Sequence, residues 1–298
     1  MSYVIDIPNV DIDERIGSAF NDLFGIISAT GEHLAEDVMW NMYKVSFLHP
    51  FFLAPLAIYR QSVGRRIACL NVSPDMKSYL GTVHFEEPLT LGNAAGELMP
   101  FVSKTYLPIC RFDLRESDAD SLQTVLQHII MVQSKACEGM TTPLSYFLGE
   151  LICNMTQHSM GHYGYVFSQY IPWEGCINLV LADDGISVYG SYVRTRKYLD
   201  EIGGNEANAL RLAYEGRSTK DLPYAENRGY GLSSSGKMLV EGLHGSFFML
   251  SGGAFHRHDV SGAVFVRLPE AINWDGTVIL MKIPTATPAG FNYNKYTQ

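Results

Sequence analysis

The sequence predicts an α/β protein. Residues 101–298 read as an α+β sandwich, a mixed sheet covered by helices on one face, and residues 1–100 read as a small α/β domain in front of it. Three observations predict this. Apolar residues recur at helical spacing in long stretches, as in Leu122, Leu126, Ile129 and Ile130. Short, wholly apolar runs such as residues 176–182 read as buried strands. Residues 90–100 are rich in small residues and turn formers, which places a boundary after a strand–helix–strand–helix order. The chain has 298 residues, 47% of them hydrophobic and 18% charged, enough apolar material for a sizeable core.

Taken in order, residues 11–35 read as a helix capped by Asp11, with Glu14 three residues on. Ile12, Ile16, Phe20, Leu23, Phe24 and Ile27 form its apolar stripe, and Gly17, Gly25 and Gly31 weaken it. Residues 37–45 follow as a strand. Residues 47–62 read as a turn and a helix, with Pro50 near the start, where proline is tolerated, and Gly64 at the end. Residues 65–72 read as a strand, and Ser73-Pro74-Asp75 opens a short helix over 76–81. Beyond the boundary, 107–112 is a strand. Residues 118–137 form a helix capped by Ser117 or Asp118, with Leu122, Val125, Leu126, Ile129, Ile130 and Val132 on its apolar side. Pro143 starts the next helix. Residues 163–170 and 176–182 read as adjacent strands joined by a hairpin loop, and 247–250, 264–268 and 278–283 complete the sheet.

The helix after Pro143 carries the most informative stripe. Glu150, Asn154 and His158 are four residues apart, so a helix puts all three on one face. A carboxylate there could orient or deprotonate a water. An amide offers its oxygen to a hard cation such as Mg²⁺. On spacing alone the ordinary reading is a helix with a half-wet face. Two later pieces shift the balance. The strand over 176–182 runs into Asp183-Asp184-Gly185, and Asn227-Arg228-Gly229-Tyr230-Gly231-Leu232 opens another helical stretch. His158 and His162 are also four apart, but no third ligand stands at motif spacing, which favours a structural role over a metal site.

In this order and spacing, over roughly residues 108–284, the pieces resemble the GHKL family of ATP-binding domains. That family holds gyrase-type ATPases, a class of heat-shock chaperones, MutL, histidine kinases and the anti-sigma serine kinases, and the last group is closest. The resemblance implies the Bergerat fold with ATP and Mg²⁺ as ligands. It makes Glu150 the general base, Asn154 the Mg²⁺ ligand and Asp183 the acceptor for the adenine amino group. The chemistry fits the last role, because an ionised carboxylate only accepts and the amine donates. Gly185 would let the backbone turn beneath the base. Ser187 stands where the family pattern D-x-G-x-G has its second glycine. Gly229, Gly231 and Leu232, at the start of the following helix, would cradle phosphates. Residues 189–228 would form a mobile lid. They contain Glu215-Gly216-Arg217-Ser218-Thr219-Lys220, which resembles the G-x-S-T-K of anti-sigma kinases. Lys220, Arg228 and Lys237 are candidate phosphate partners. Ser251 stands where the family often has a hydroxyl near adenine. The first hundred residues faintly resemble a STAS-like domain, with His49-Pro50 at the place of its phosphorylatable serine, where Pro50 cannot accept phosphate.

Composition narrows the function classes. A net charge of −9 argues against a nucleic-acid partner, which would need a basic surface. The five cysteines (Cys69, Cys110, Cys137, Cys153 and Cys176) are scattered, with no C-x-x-C pair, as expected of reduced thiols in the cytoplasm. No run reaches the length of about 18 apolar residues that spans a bilayer, so no membrane association is expected. Nor does the first stretch have the basic and apolar regions of a signal peptide. The expected protein is a cytoplasmic, Mg²⁺-dependent ATP-binding protein in a regulatory role. It would be an ATPase or a protein serine/threonine kinase, with a protein partner or a second copy of itself. The alternative is a non-catalytic ATP-sensing module. A histidine kinase relative is the weaker alternative, because His128 lacks the acidic neighbour of a phospho-accepting histidine.

Overall fold

The structure is a computed structural model that describes residues 2–9, 16–63, 67–116, 118–219 and 231–297. Expectations resting on Asp11, Glu14, Gly64 and Ser117 lie outside them. The chain opens with β1 (Ser2–Asp6), α1 (Ile16–Glu32), β2 (Asp37–Asn41), α2 (Pro50–Ser62) and β3 (Ala68–Leu70). It continues through α3 (Pro74–Thr82), β4 (Leu89–Leu91), α4 (Ala94–Leu98), β5 (Tyr106–Asp113), α5 (Ala119–Ser134) and α6 (Thr141–His158). The hairpin β6 (Tyr163–Ile171) and β7 (Cys176–Asp183) leads to three short helices, α7 (Val188–Thr195), α8 (Leu199–Ile202) and α9 (Glu206–Tyr214). Then come α10 (Gly231–Lys237), which runs into a π-helical turn, and β8 (Ser246–Gly252), β9 (Ala254–Asp259), β10 (Gly262–Arg267) and β11 (Trp274–Pro284).

These elements build a mixed α/β protein with two sheets. β1, β2 and β3 form a small parallel sheet, and the other eight strands form a mixed sheet in the order β10-β9-β8-β11-β7-β6-β5-β4. β11 is inserted between β7 and β8, antiparallel to both. Caps decide where several helices begin. His49 Nδ1 accepts from Phe51 N–H before Pro50 in α2, Ser73 caps α3, and Asp118 accepts from two N–H groups of α5.

The large sheet is covered on both faces, not on one as the sequence predicts. Leu126, Phe147, Leu151, Leu210 and Leu239 from α5, α6, α9 and the π-helical turn pack on Val166, Leu179, Leu181, Met249 and Met281. On the opposite face, α2 lies across β6, β7 and β11. There Phe20 of α1 meets Phe248 and Phe255 at ring separations of 5.1 and 4.8 Å. Each fully buried side chain of this size contributes roughly 1.5–3 kcal/mol, so the back face joins the N-terminal elements to the large sheet as one core.

Other differences are local. The strand expected over 37–45 ends at Asn41, and of that expected over 65–72 the described residues from 67 on form only β3. Val132 is 47% exposed, so it is not part of the buried stripe of α5. The first part of the segment expected as a lid (189–228) is helical, with its first helix beginning at Val188. It folds as α7, α8 and α9, with Tyr192, Ile202, Ala209 and Leu212 forming a small core of their own. No helix among the described residues is long and apolar enough to cross a membrane.

Candidate functional site

α6 presents Glu150, Asn154 and His158 to a single cavity, as their spacing predicts. The described residues around it enclose about 230 Å³. Asp183, at the end of β7, lines the same cavity, and so do Gly231 and Leu232 of α10. The fold makes this convergence. Alternate residues of β7 face α6, so Asp183 falls on the same side of the sheet as Leu179 and Leu181.

Asp183 is only 4% exposed. Burial pushes its carboxyl up to about 7, the neighbouring charge of Asp184 adds to this, and N–H groups of Gly185 and Thr277 draw it back. The Gly185 N–H donates to Asp183 Oδ1 at 3.0 Å. Asp184 has a different task. Its Oδ1 accepts from the N–H groups of His162 and Tyr163, both at 2.8 Å, and so ties the chain after α6 to the end of β7. Gly185 closes the same junction. A β-carbon there would lie 2.0 Å from the Ser159 carbonyl oxygen, so glycine is required by close approach to α6. Ser187, at the position of an expected glycine, caps α7 by accepting from Gly190 N–H at 3.0 Å.

Ser251 does not line the cavity. Its hydroxyl donates to the Gly276 carbonyl at 2.9 Å and accepts from Val188 N–H at 2.9 Å. The residue that faces the cavity is Thr277, which pairs with Asp183 across β11 and β7 and lies 2.9 Å from the Ser251 hydroxyl. Ser251 therefore holds Thr277 in place. A bulge in β11 sets this arrangement, and Gly276 occupies it with φ +89°, because a β-carbon would stand 2.2 Å from the Asp183 carbonyl. The Asp275-Gly276-Thr277 sequence is the signal that could have found it.

Gly229, Lys220 and Arg228 lie outside the described residues. Lys237 is exposed on α10 and does not line the cavity, whereas Arg217 does. Arg217 lies over the Tyr198 ring at 5.6 Å, and its carbonyl accepts from the Tyr192 hydroxyl. One turn before Glu150, Tyr146 bonds Ser234 of α10, a further link the sequence reading missed.

The donor set fits a hard cation held jointly with a ligand. Asn154 offers a carboxamide oxygen and Glu150 a carboxylate, and no cluster of three His, Cys, Asp or Glu side chains stands ready for a metal among the described residues. Comparison of the chain with protein-family models, with characterised proteins and with solved structures returns no match.

Proposed function

We propose that the protein binds ATP with Mg²⁺ in the manner of a GHKL domain and either hydrolyses it or passes its γ-phosphate to a protein hydroxyl. One observation carries this reading. Glu150 and Asn154 on α6, the glycine start of α10 and the buried Asp183 with Thr277 all face one cavity. In this reading Asp183 accepts from the adenine amine, and the start of α10, held against Glu150 at Gly231, faces the phosphate oxygens. Asn154 would hold Mg²⁺, which neutralises phosphate charge when bound. Glu150 accepts the proton of the attacking water or hydroxyl. Calorimetric titration with Mg²⁺–ATP, followed by γ-phosphate release with and without candidate protein substrates, tests it. A folded protein that binds no adenine nucleotide would end the reading.

A second reading, a non-catalytic ATP sensor, is favoured by the placement of α2. It lies on the back of β7 and β11, the strands whose front carries Asp183 and Thr277. Nucleotide on one face and the N-terminal elements on the other would share the same two strands. Tight ATP binding with no turnover by any partner would favour it.

A further inference from the structure

We propose that Ser191, Thr219 and His158 read the sugar of the bound nucleotide and select a ribonucleotide over a deoxyribonucleotide. The inference rests on the adenine-nucleotide reading above and adds the choice of sugar to it. Three separate elements bring these side chains together: α6 carries His158, α7 carries Ser191, and the chain after α9 carries Thr219. Thr219 Oγ1 lies 3.1 Å from His158 Nδ1 and 3.2 Å from Ser191 Oγ, and all three residues line the cavity.

Position along α6 decides what faces them. Glu150 against Gly231 marks the phosphate end, with Asn154 one turn on. His158 comes a further turn on. The residue after it, Ser159, accepts from Ile186 N–H at 2.6 Å, in the loop that follows Asp183, the base end. At about 1.5 Å per residue, Glu150 and His158 are about 12 Å apart along the axis. A nucleotide laid between these ends passes its sugar beside His158. The chemistry of the trio suits a hydroxyl. With Nδ1 accepting, protons run from Ser191 to Thr219 to His158, and the two oxygens keep lone pairs that can accept. With Nδ1 protonated, the direction reverses and Ser191 is free to donate. A sugar hydroxyl both donates and accepts, so it can join the chain in either sense, and a C–H in its place cannot. A site built to bond a hydroxyl rejects the analogue that lacks it, because its own polar groups are left unpaired.

The test measures binding of ATP, 2′-deoxyATP and 3′-deoxyATP to the full chain with Mg²⁺, in the parent, Thr219→Val and Ser191→Ala proteins. The parent is expected to bind ATP about tenfold more tightly than at least one deoxy form, short of the larger ratios of fully enclosed sites. Thr219→Val should bring that ratio close to one by weakening ATP and leaving the deoxy form unchanged. Should Thr219→Val fail to fold, Ser191→Ala reports the same ratio. Equal binding of all three by the parent, or an unchanged ratio in a folded variant, overturns the sugar assignment alone. Absence of binding by every adenine nucleotide overturns the reading on which it rests.

Discussion

Gly231 lies so close to Glu150 that a β-carbon at residue 231 would stand 1.7 Å from Glu150 Oε2. The contact fastens the first turn of α10 to the middle of α6. Gly231→Ala must therefore displace either the carboxylate or the helix start. Overpacking of this kind costs about 1–3 kcal/mol. The variant is expected to lose about tenfold or more in ATP affinity while keeping a cooperative unfolding transition. Calorimetry beside thermal unfolding checks this, and undiminished affinity would show that the contact is not part of the nucleotide site.

Glu150→Gln keeps the size of the side chain and removes its basic oxygen. A general base contributes about 10²–10⁴-fold in rate. Turnover or phosphotransfer should fall by that factor, with ATP affinity within a few-fold of the parent. A variant that turns over at the parent rate would move the proton-accepting role away from α6 at this position.

The raised pKa of Asp183 links stability to pH and, under the proposed reading, would link ATP binding to it as well. Its folded pKa, about 7, is well above that of an exposed aspartate. The folded state thus holds the proton that the unfolded chain gives up. The cost of burying the charge is fully present above pH 7 and is relieved as pH falls through about 7 toward the ordinary carboxylate range. The nucleotide-free protein should gain stability between pH 8 and pH 6 relative to Asp183→Asn, measured as melting temperature. Under the proposed reading, binding would work in the opposite sense, because an adenine amine favours the ionised acceptor. ATP affinity should rise from pH 6 to pH 8, with a proton released on binding, detected by calorimetry in buffers of different ionisation heat. Asp183→Asn should lose this proton release and bind ATP about tenfold to a hundredfold more weakly.

Asn154→Ala separates metal from scaffold. If the carboxamide holds Mg²⁺, the variant should bind ATP more weakly with Mg²⁺ present and about as well as the parent in excess chelator. An equal loss in both conditions assigns Asn154 to packing.

The parts visible in the sequence are those whose periodicity agrees with their burial. The stripe of α6 and the apolar run of β7 place Glu150, Asn154 and Asp183 without any tertiary information. β1, β4 and β9 were missed; β4 has only three residues, and His256 and Arg257 interrupt the apolar pattern of β9. Thr277 is not legible as a cavity residue in the sequence, because its facing depends on the β11 bulge, and a bulge changes which residue faces the cavity without changing composition. The covered back face was hidden too: α2 is apolar nearly all round, which marks a buried helix but does not name the surface that buries it.

The insertion of β11 between β7 and β8 also sets an order of assembly. Until residues 274–284 are available, β7 and β8 lack the strand that joins them, and the large sheet exists as two separate pieces. A chain that emerges from its N-terminal end at about 5–20 residues per second spends several seconds with α6 and β7 made and their neighbour missing. Thr277 and the Gly276 bulge beside Asp183 arrive with that strand. The cavity is therefore among the latest features to be completed in the life of each molecule, after the N-terminal helices that cover its back have been made.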